Sequence, residues 1–103
     1  MIGDEDLPKQ RETNRHIELY EAILHLKDLD ACQRFFSDLC SMTELNAIEQ
    51  RFKVAKLLYD GEVYTEILKQ TGASSATISR VNRALNYSED GLKELFEQIY
   101  PKE

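Results

Sequence analysis

From Lys69 to Asn86 the chain carries no carboxylate, and within that stretch stand Lys69, Ser74, Ser75, Ala76, Thr77, Ser79, Arg80 and Arg83. These residue types suit the groove of a DNA duplex. An arginine can bond guanine O6 and N7 in a bidentate fork, hydroxyls can reach base edges or phosphates, and an alanine methyl can pack on a thymine methyl. Spacing decides which of them can act together. At about 100° per residue on a helix, Ile78, Val81 and Leu85 fall in one narrow sector, while Ala76, Ser79, Arg80 and Arg83 fall opposite. Recognition helices touch bases mainly with their N-terminal residues. Base reading is therefore expected of Ser75, Ala76, Thr77 and Ser79, phosphate contact of Ser74 and Lys69, and either role of Arg80 and Arg83. The unbonded N–H groups at the start of the same helix add an anion site.

Such a face needs a scaffold that presents it. Two short helices joined by a brief turn containing glycine are the sequence signature of a helix-turn-helix, and residues Tyr64 to Arg83 supply one. The spacing predicts a first helix over Tyr64–Thr71, a left-handed stop at Gly72, and a second helix from Ser75 to about Asn86 capped by Ser74. Ile67 faces inward, Ala73 is small enough for close packing, and Ile78 and Val81 anchor the second helix. Leu68 and Thr71 depart from the pattern, since such motifs prefer a small residue at the first position and an apolar one at the second.

Helical periodicity runs through the rest of the chain. Ile17, Tyr20, Ile23, Leu24 and Leu26 predict a helix from Asn14 to Lys27. A second is expected after Asp28 or Asp30, either of which can cap it, with Cys32, Phe35, Phe36 and Leu39 on one side. Ser41-Met42-Thr43-Glu44 fits a capping box and opens a long third helix. Leu45, Ile48, Phe52, Ala55 and Leu58 form its stripe, and it ends at Gly61. The last helix is expected from near Ser88, burying Leu92, Leu95, Phe96 and Ile99, and stopping before Pro101. No period-two run of β-branched residues competes. The expected architecture is all-α, six helices in one domain over residues 14–103, preceded by a disordered arm over residues 1–13 where apolar side chains are scarce.

The whole chain of 103 residues has a net charge of -6, which counts against nucleic-acid binding, but the charge is unevenly spread. Between Arg51 and Asn86, six bases (Arg51, Lys53, Lys56, Lys69, Arg80, Arg83) face three acids, a local balance of +3, and the remaining residues sum to -9. A duplex senses charge within a Debye length, about 8 Å at physiological salt, so a basic face on an acidic protein can still serve. Chains this short bury proportionally little surface, and association with a second copy is expected on size alone. No apolar run approaches the roughly 20 residues a bilayer needs, and no N-terminal signal pattern occurs; the expected location is cytoplasmic. Cys32 and Cys40 lie too far apart on one helical stretch for a disulfide and have no histidine beside them for a zinc site, so both are read as buried small hydrophobes. His16 and His25 lack a partnering nucleophile or ligand cluster, no glycine-rich phosphate loop occurs, and no enzyme activity or metal is expected.

The segments LKDLDACQRFFSDLC, SMTE, the arginine of QRFKVAKLLYDG, and above all TGASSATISRVNRALNY resemble the Trp repressor superfamily. From His16 onward the chain is similar to its YerC/YecD branch. The resemblance implies a six-helix Trp repressor-like domain forming an intertwined homodimer, with the first, second and last helices interlocked with those of the partner. It also implies a sequence-specific transcriptional regulator, expected to be a repressor, on a two-fold related operator of double-stranded DNA. In the Trp repressor the corepressor indole lies between two arginines that match Arg51 and Arg80. The glycine that follows the second of them is Val81 here, and a serine that helps hold the ligand's amino group is Ala84. Tryptophan is accordingly not expected as corepressor, no cofactor is expected, and Arg51 and Arg80 are assigned to phosphate or carboxylate. The rival from another class is a helical dimeric protein-interaction module without DNA binding, favoured by the acidic total.

Overall fold

The computed structural model describes residues 15–102, in six helices and no strand among those residues. The expected N-terminal arm lies outside the described residues. Two compact units divide the chain, one up to Leu39 and one from Cys40 onward.

The first unit holds α1 (Ile17–Leu24) and α2 (Leu29–Leu39). α1 is shorter than its apolar spacing predicts, for local reasons at both ends. His16 adopts a left-handed conformation, φ 67°, ahead of the first turn. At the other end the amides of His25 and Leu26 bond back only three residues, to Ala22 and Ile23 at 3.0 Å each, the tighter geometry with which helices close. Asp28 decides where α2 begins, its carboxylate accepting from the Ala31 amide at 2.9 Å. Asp30 instead pairs with Arg34 one turn on, at 2.9 Å. Both partners are mostly solvated, so that pair contributes at most a few tenths of a kcal/mol.

No residue of α1 or α2 is buried. Leu24 is 83% exposed and Leu29 76%, and Ile17, Leu19, Tyr20 and Leu39 are exposed as well. Cys32 and Cys40 are free and only half-buried, which corrects the expectation that both are enclosed. The apolar stripe of α2 exists as the sequence predicts, but within one chain nothing covers it fully.

The second unit is built on α3 (Met42–Tyr59), opened by the expected capping box. Ser41 Oγ accepts from the Glu44 amide at 3.1 Å, and the Glu44 carboxylate accepts from the Ser41 amide at 2.8 Å. α3 closes with a Schellman arrangement. Gly61, at φ 89°, lets its own amide reach the Leu58 carbonyl and the Glu62 amide reach that of Leu57, both at 3.0 Å. α4 (Tyr64–Thr71), α5 (Ser75–Tyr87) and α6 (Gly91–Ile99) follow. The sequence placed the start of α6 near Ser88; it begins at Gly91, because Asp90 takes a left-handed conformation, φ 67°, that a helix cannot include. Aspartate tolerates that region better than most residues.

Val54 and Ala55 of α3, Ile67 of α4, Ala73, then Ile78, Val81 and Leu85 of α5, and Phe96 of α6 form one buried cluster. Phe96 is fully enclosed, with the rings of Phe52, Tyr59 and Tyr100 at 5.4, 5.3 and 5.9 Å between centroids. Enclosing a ring of that size contributes about 1.5–3 kcal/mol. Two further expectations of burial fail. Ile48 and Phe52 on α3 and Leu95 and Ile99 on α6 remain between 41% and 49% exposed, since the buried cluster takes in only Val54 and Ala55 from α3 and Phe96 from α6.

Candidate nucleic-acid interface

α4 and α5 have the bounds that a helix-turn-helix requires. Gly72 ends α4 at φ 70°, its amide bonded to the Leu68 carbonyl at 2.8 Å. A Cβ on Gly72 would meet nothing within 4 Å, so the glycine is demanded by backbone angle and not by space. Ala73 is 2% exposed, consistent with the close approach expected of it. Leu68, one of the two departures from the motif, is 47% exposed and so disturbs no packing.

The other departure, Thr71, has a structural use. Its hydroxyl donates to the Ile67 carbonyl at 2.7 Å and accepts from the Ala73 amide at 3.1 Å, bridging the turn. Its carbonyl accepts from Gln50 Nε2 of α3 at 3.1 Å. Gln50 was not singled out in the sequence. The polar residue in an apolar slot was the available signal, and it could not name a partner 21 positions away.

α5 is amphipathic in the sense the spacing predicts. Ile78, Val81 and Leu85 are at most 5% exposed. Ser75, Ala76, Arg80 and Arg83 are exposed, Thr77 and Ser79 half-buried, and Lys69 is exposed on the last turn of α4. Neither Arg80 nor Arg83 pairs with a carboxylate among the described residues. Both guanidinium groups therefore keep their donors for an outside acceptor.

Ser74 caps α5, its Oγ accepting from the Thr77 amide at 3.1 Å and donating to Thr77 Oγ1 at 3.1 Å. The Ser74 hydroxyl is thus committed within the chain, and the Thr77 hydroxyl, used as an acceptor, keeps its own proton to donate. Helix geometry leaves the first amides of α5 without intrahelical partners. Lys56, counted among the six bases, does not contribute to this face: its Nζ lies 2.6 Å from Asp60 Oδ2 and 4.4 Å from the Tyr100 ring centroid.

Beside α5 a cleft of about 590 Å³ is lined by Ile48, Arg51, Phe52, Arg80, Val81, Ala84 and Leu92. Arg51 and Arg80 thus border one space, as the resemblance to the Trp repressor implied. Val81 narrows the cleft without filling it, since the volume is within the range of small-molecule sites. Elsewhere, among the described residues, no three His, Cys, Asp or Glu side chains gather as a metal site, and no helix is long and apolar enough to cross a membrane. His16 and His25 are exposed, the latter bonding the Glu21 carbonyl through Nδ1 at 2.8 Å.

The profile of the family described as Trp repressor protein matches residues 15–100. The protein YerC of Bacillus subtilis (strain 168), itself uncharacterized, is 46% identical over 82 residues, which is 80% of this chain and 79% of that one. The solved structure of a TrpR-like protein from Eubacterium eligens aligns with a TM-score of 0.82 at 47% identity, over 91% of this chain and 97% of that one. A solved chain from Staphylococcus aureus gives a TM-score of 0.82 at 38% identity, over 90% and 96%.

The two serines at the head of α5 are expected to differ in energetics. Ser74→Ala should cost about 1 kcal/mol of stability through loss of the cap, whereas Ser75→Ala should change it by less than about 0.5 kcal/mol. Urea unfolding at one protein concentration separates them; equal effects would contradict the capping assignment.

Proposed function

The chain belongs to the Trp repressor family, and from that premise we propose that it is a transcriptional regulator that reads double-stranded DNA as a homodimer. The observation that carries this reading is the two-sided α5. Ile78, Val81 and Leu85 fix the helix to the core, and Arg80 and Arg83 stand opposite them, exposed and without a carboxylate partner. Ser75, Ala76, Thr77 and Ser79 meet base edges in the major groove, Lys69 and Ser74 lie along the phosphates, and Arg80 and Arg83 reach whichever acceptor the operator presents. Because the Ser74 hydroxyl is committed to its cap, its phosphate contact runs through the amides at the start of α5. Repression is the sign of regulation this reading assigns, and the cytoplasm its place.

The homodimer is supported by what one chain leaves uncovered. α1 and α2 bury no residue, and the exposed Ile48 and Phe52 of α3 and Leu95 and Ile99 of α6 add to the apolar area. Apolar surface of that extent is covered in stable proteins. A second copy interlocking through the same helices covers it and presents two reading heads to half-sites one helical turn apart, about 34 Å. Residues 14–103 then act as one domain.

In the same reading Arg51 and Arg80 hold a phosphate or a carboxylate, not an indole. Ala84 offers no hydroxyl to an amino acid's ammonium group, and Val81 narrows the cleft. No cofactor and no catalytic step enter the scheme.

Arg80→Ala and Arg83→Ala are each expected to weaken binding to a duplex enriched from a random-sequence pool by about tenfold or more, in line with about 1–3 kcal/mol per specific contact. Binding should also fall steeply with salt. Wild-type affinity in both variants would remove the assignment of the reading face, and absence of salt-sensitive duplex binding would favour a protein-interaction module instead. Sedimentation at micromolar concentration should give twice the chain mass; a stable monomer would exclude the two-headed arrangement.

A further inference from the structure

α4 and α5 are attached to α3 by contacts of two physical kinds. Most of the attachment is apolar, through Ile67, Ala73, Ile78, Val81 and Leu85 against Val54, Ala55 and their neighbours. Burial of this kind is strong but has no direction. A hydrogen bond has a length and an angle. Among the described residues only one hydrogen bond ties the two-helix head to α3, from Gln50 Nε2 to the Thr71 carbonyl at 3.1 Å. It lands on the turn, between the helices whose mutual setting decides where the α5 face points.

The turn depends on outside help. α4 has eight residues, with one buried, and its N-cap Val63 contributes no side-chain bond. Isolated helices shorter than about 12 residues are not stable in water. The carbonyls of a helix's last turn lack intrahelical partners, and Thr71 supplies one of them. Gln50 satisfies that carbonyl, while the Thr71 hydroxyl bridges the Ile67 carbonyl and the Ala73 amide. An apolar residue at position 71 would leave the second bridge unmade.

We infer that Gln50 is a positioning residue for DNA reading: through the Thr71 carbonyl it fixes the angle at which the helix-turn-helix is held on α3. This rests on the DNA-reading function proposed above. Gln50 touches no base in this scheme. It acts through the turn, so its loss affects sequence-specific contacts, which need exact placement, more than the charge-driven attraction that any duplex provides.

Two measurements on the full chain test the inference, using Gln50→Leu, which keeps the volume without the donor, and Thr71→Val against Thr71→Ser. Hydrogen exchange reads the turn without DNA. The Gly72 and Ala73 amides are expected to exchange about three- to tenfold faster in Gln50→Leu and Thr71→Val, the size of one modest hydrogen bond, and near the wild-type rate in Thr71→Ser. Binding reads the consequence: Gln50→Leu should weaken affinity for an enriched duplex about tenfold and change affinity for an unselected duplex of equal length less than about twofold. Wild-type exchange in Gln50→Leu overturns the inference, as does an equal loss on both duplexes. If the wild-type protein enriches no duplex, the DNA-reading function is what has failed, and the exchange rates alone decide whether Gln50 holds the turn.

Discussion

A helix that reads a groove must be held by one face and open on the other, and that division constrains everything around α5. Ile78, Val81 and Leu85 occupy the held side at spacings of three and four, so the sector opposite is left to Ala76, Ser79, Arg80 and Arg83. The held side has to find a floor, which Val54 and Ala55 of α3 and Phe96 of α6 provide. The open side must avoid self-neutralisation. The absence of acids from Lys69 to Asn86 achieves this locally, although the chain as a whole is acidic.

Holding the helix by one face also limits how much a single chain can bury. The enclosed cluster lies wholly between α3 and α6, and the two N-terminal helices end with apolar side chains in water. A chain of about this length buries too small a fraction of its surface to tolerate such exposure readily. The short core and the uncovered helices are two consequences of one geometry, and the proposed interlocked second copy would answer both.

Much of this arrangement was legible in the sequence because local rules dictated it. The capping box at Ser41–Glu44, the cap at Ser74, the left-handed Gly61 and Gly72 and the faces of α5 each depend on residues within one or two turns. Expectations failed where the outcome depended on distant parts of the chain. Periodicity marks Leu95 and Ile99 as apolar-face residues of α6, but how fully they are covered is decided elsewhere, and in one chain both stay more than two-fifths exposed. The start of α6 slipped from Ser88 to Gly91 because a single backbone angle at Asp90 outweighed the apolar spacing. Thr71 looked like a defect in the motif until Gln50, remote in sequence, supplied its partner.

The central claim is that the Arg80 and Arg83 side of α5 receives a duplex. Amide chemical-shift mapping tests it most directly, with isotope-labelled protein titrated by an enriched duplex at moderate salt. The account predicts that the largest perturbations cluster from Ser74 to Arg83, with weaker ones near Lys69. Perturbations confined to α6 or to the N-terminal helices, with α5 unchanged, would contradict it.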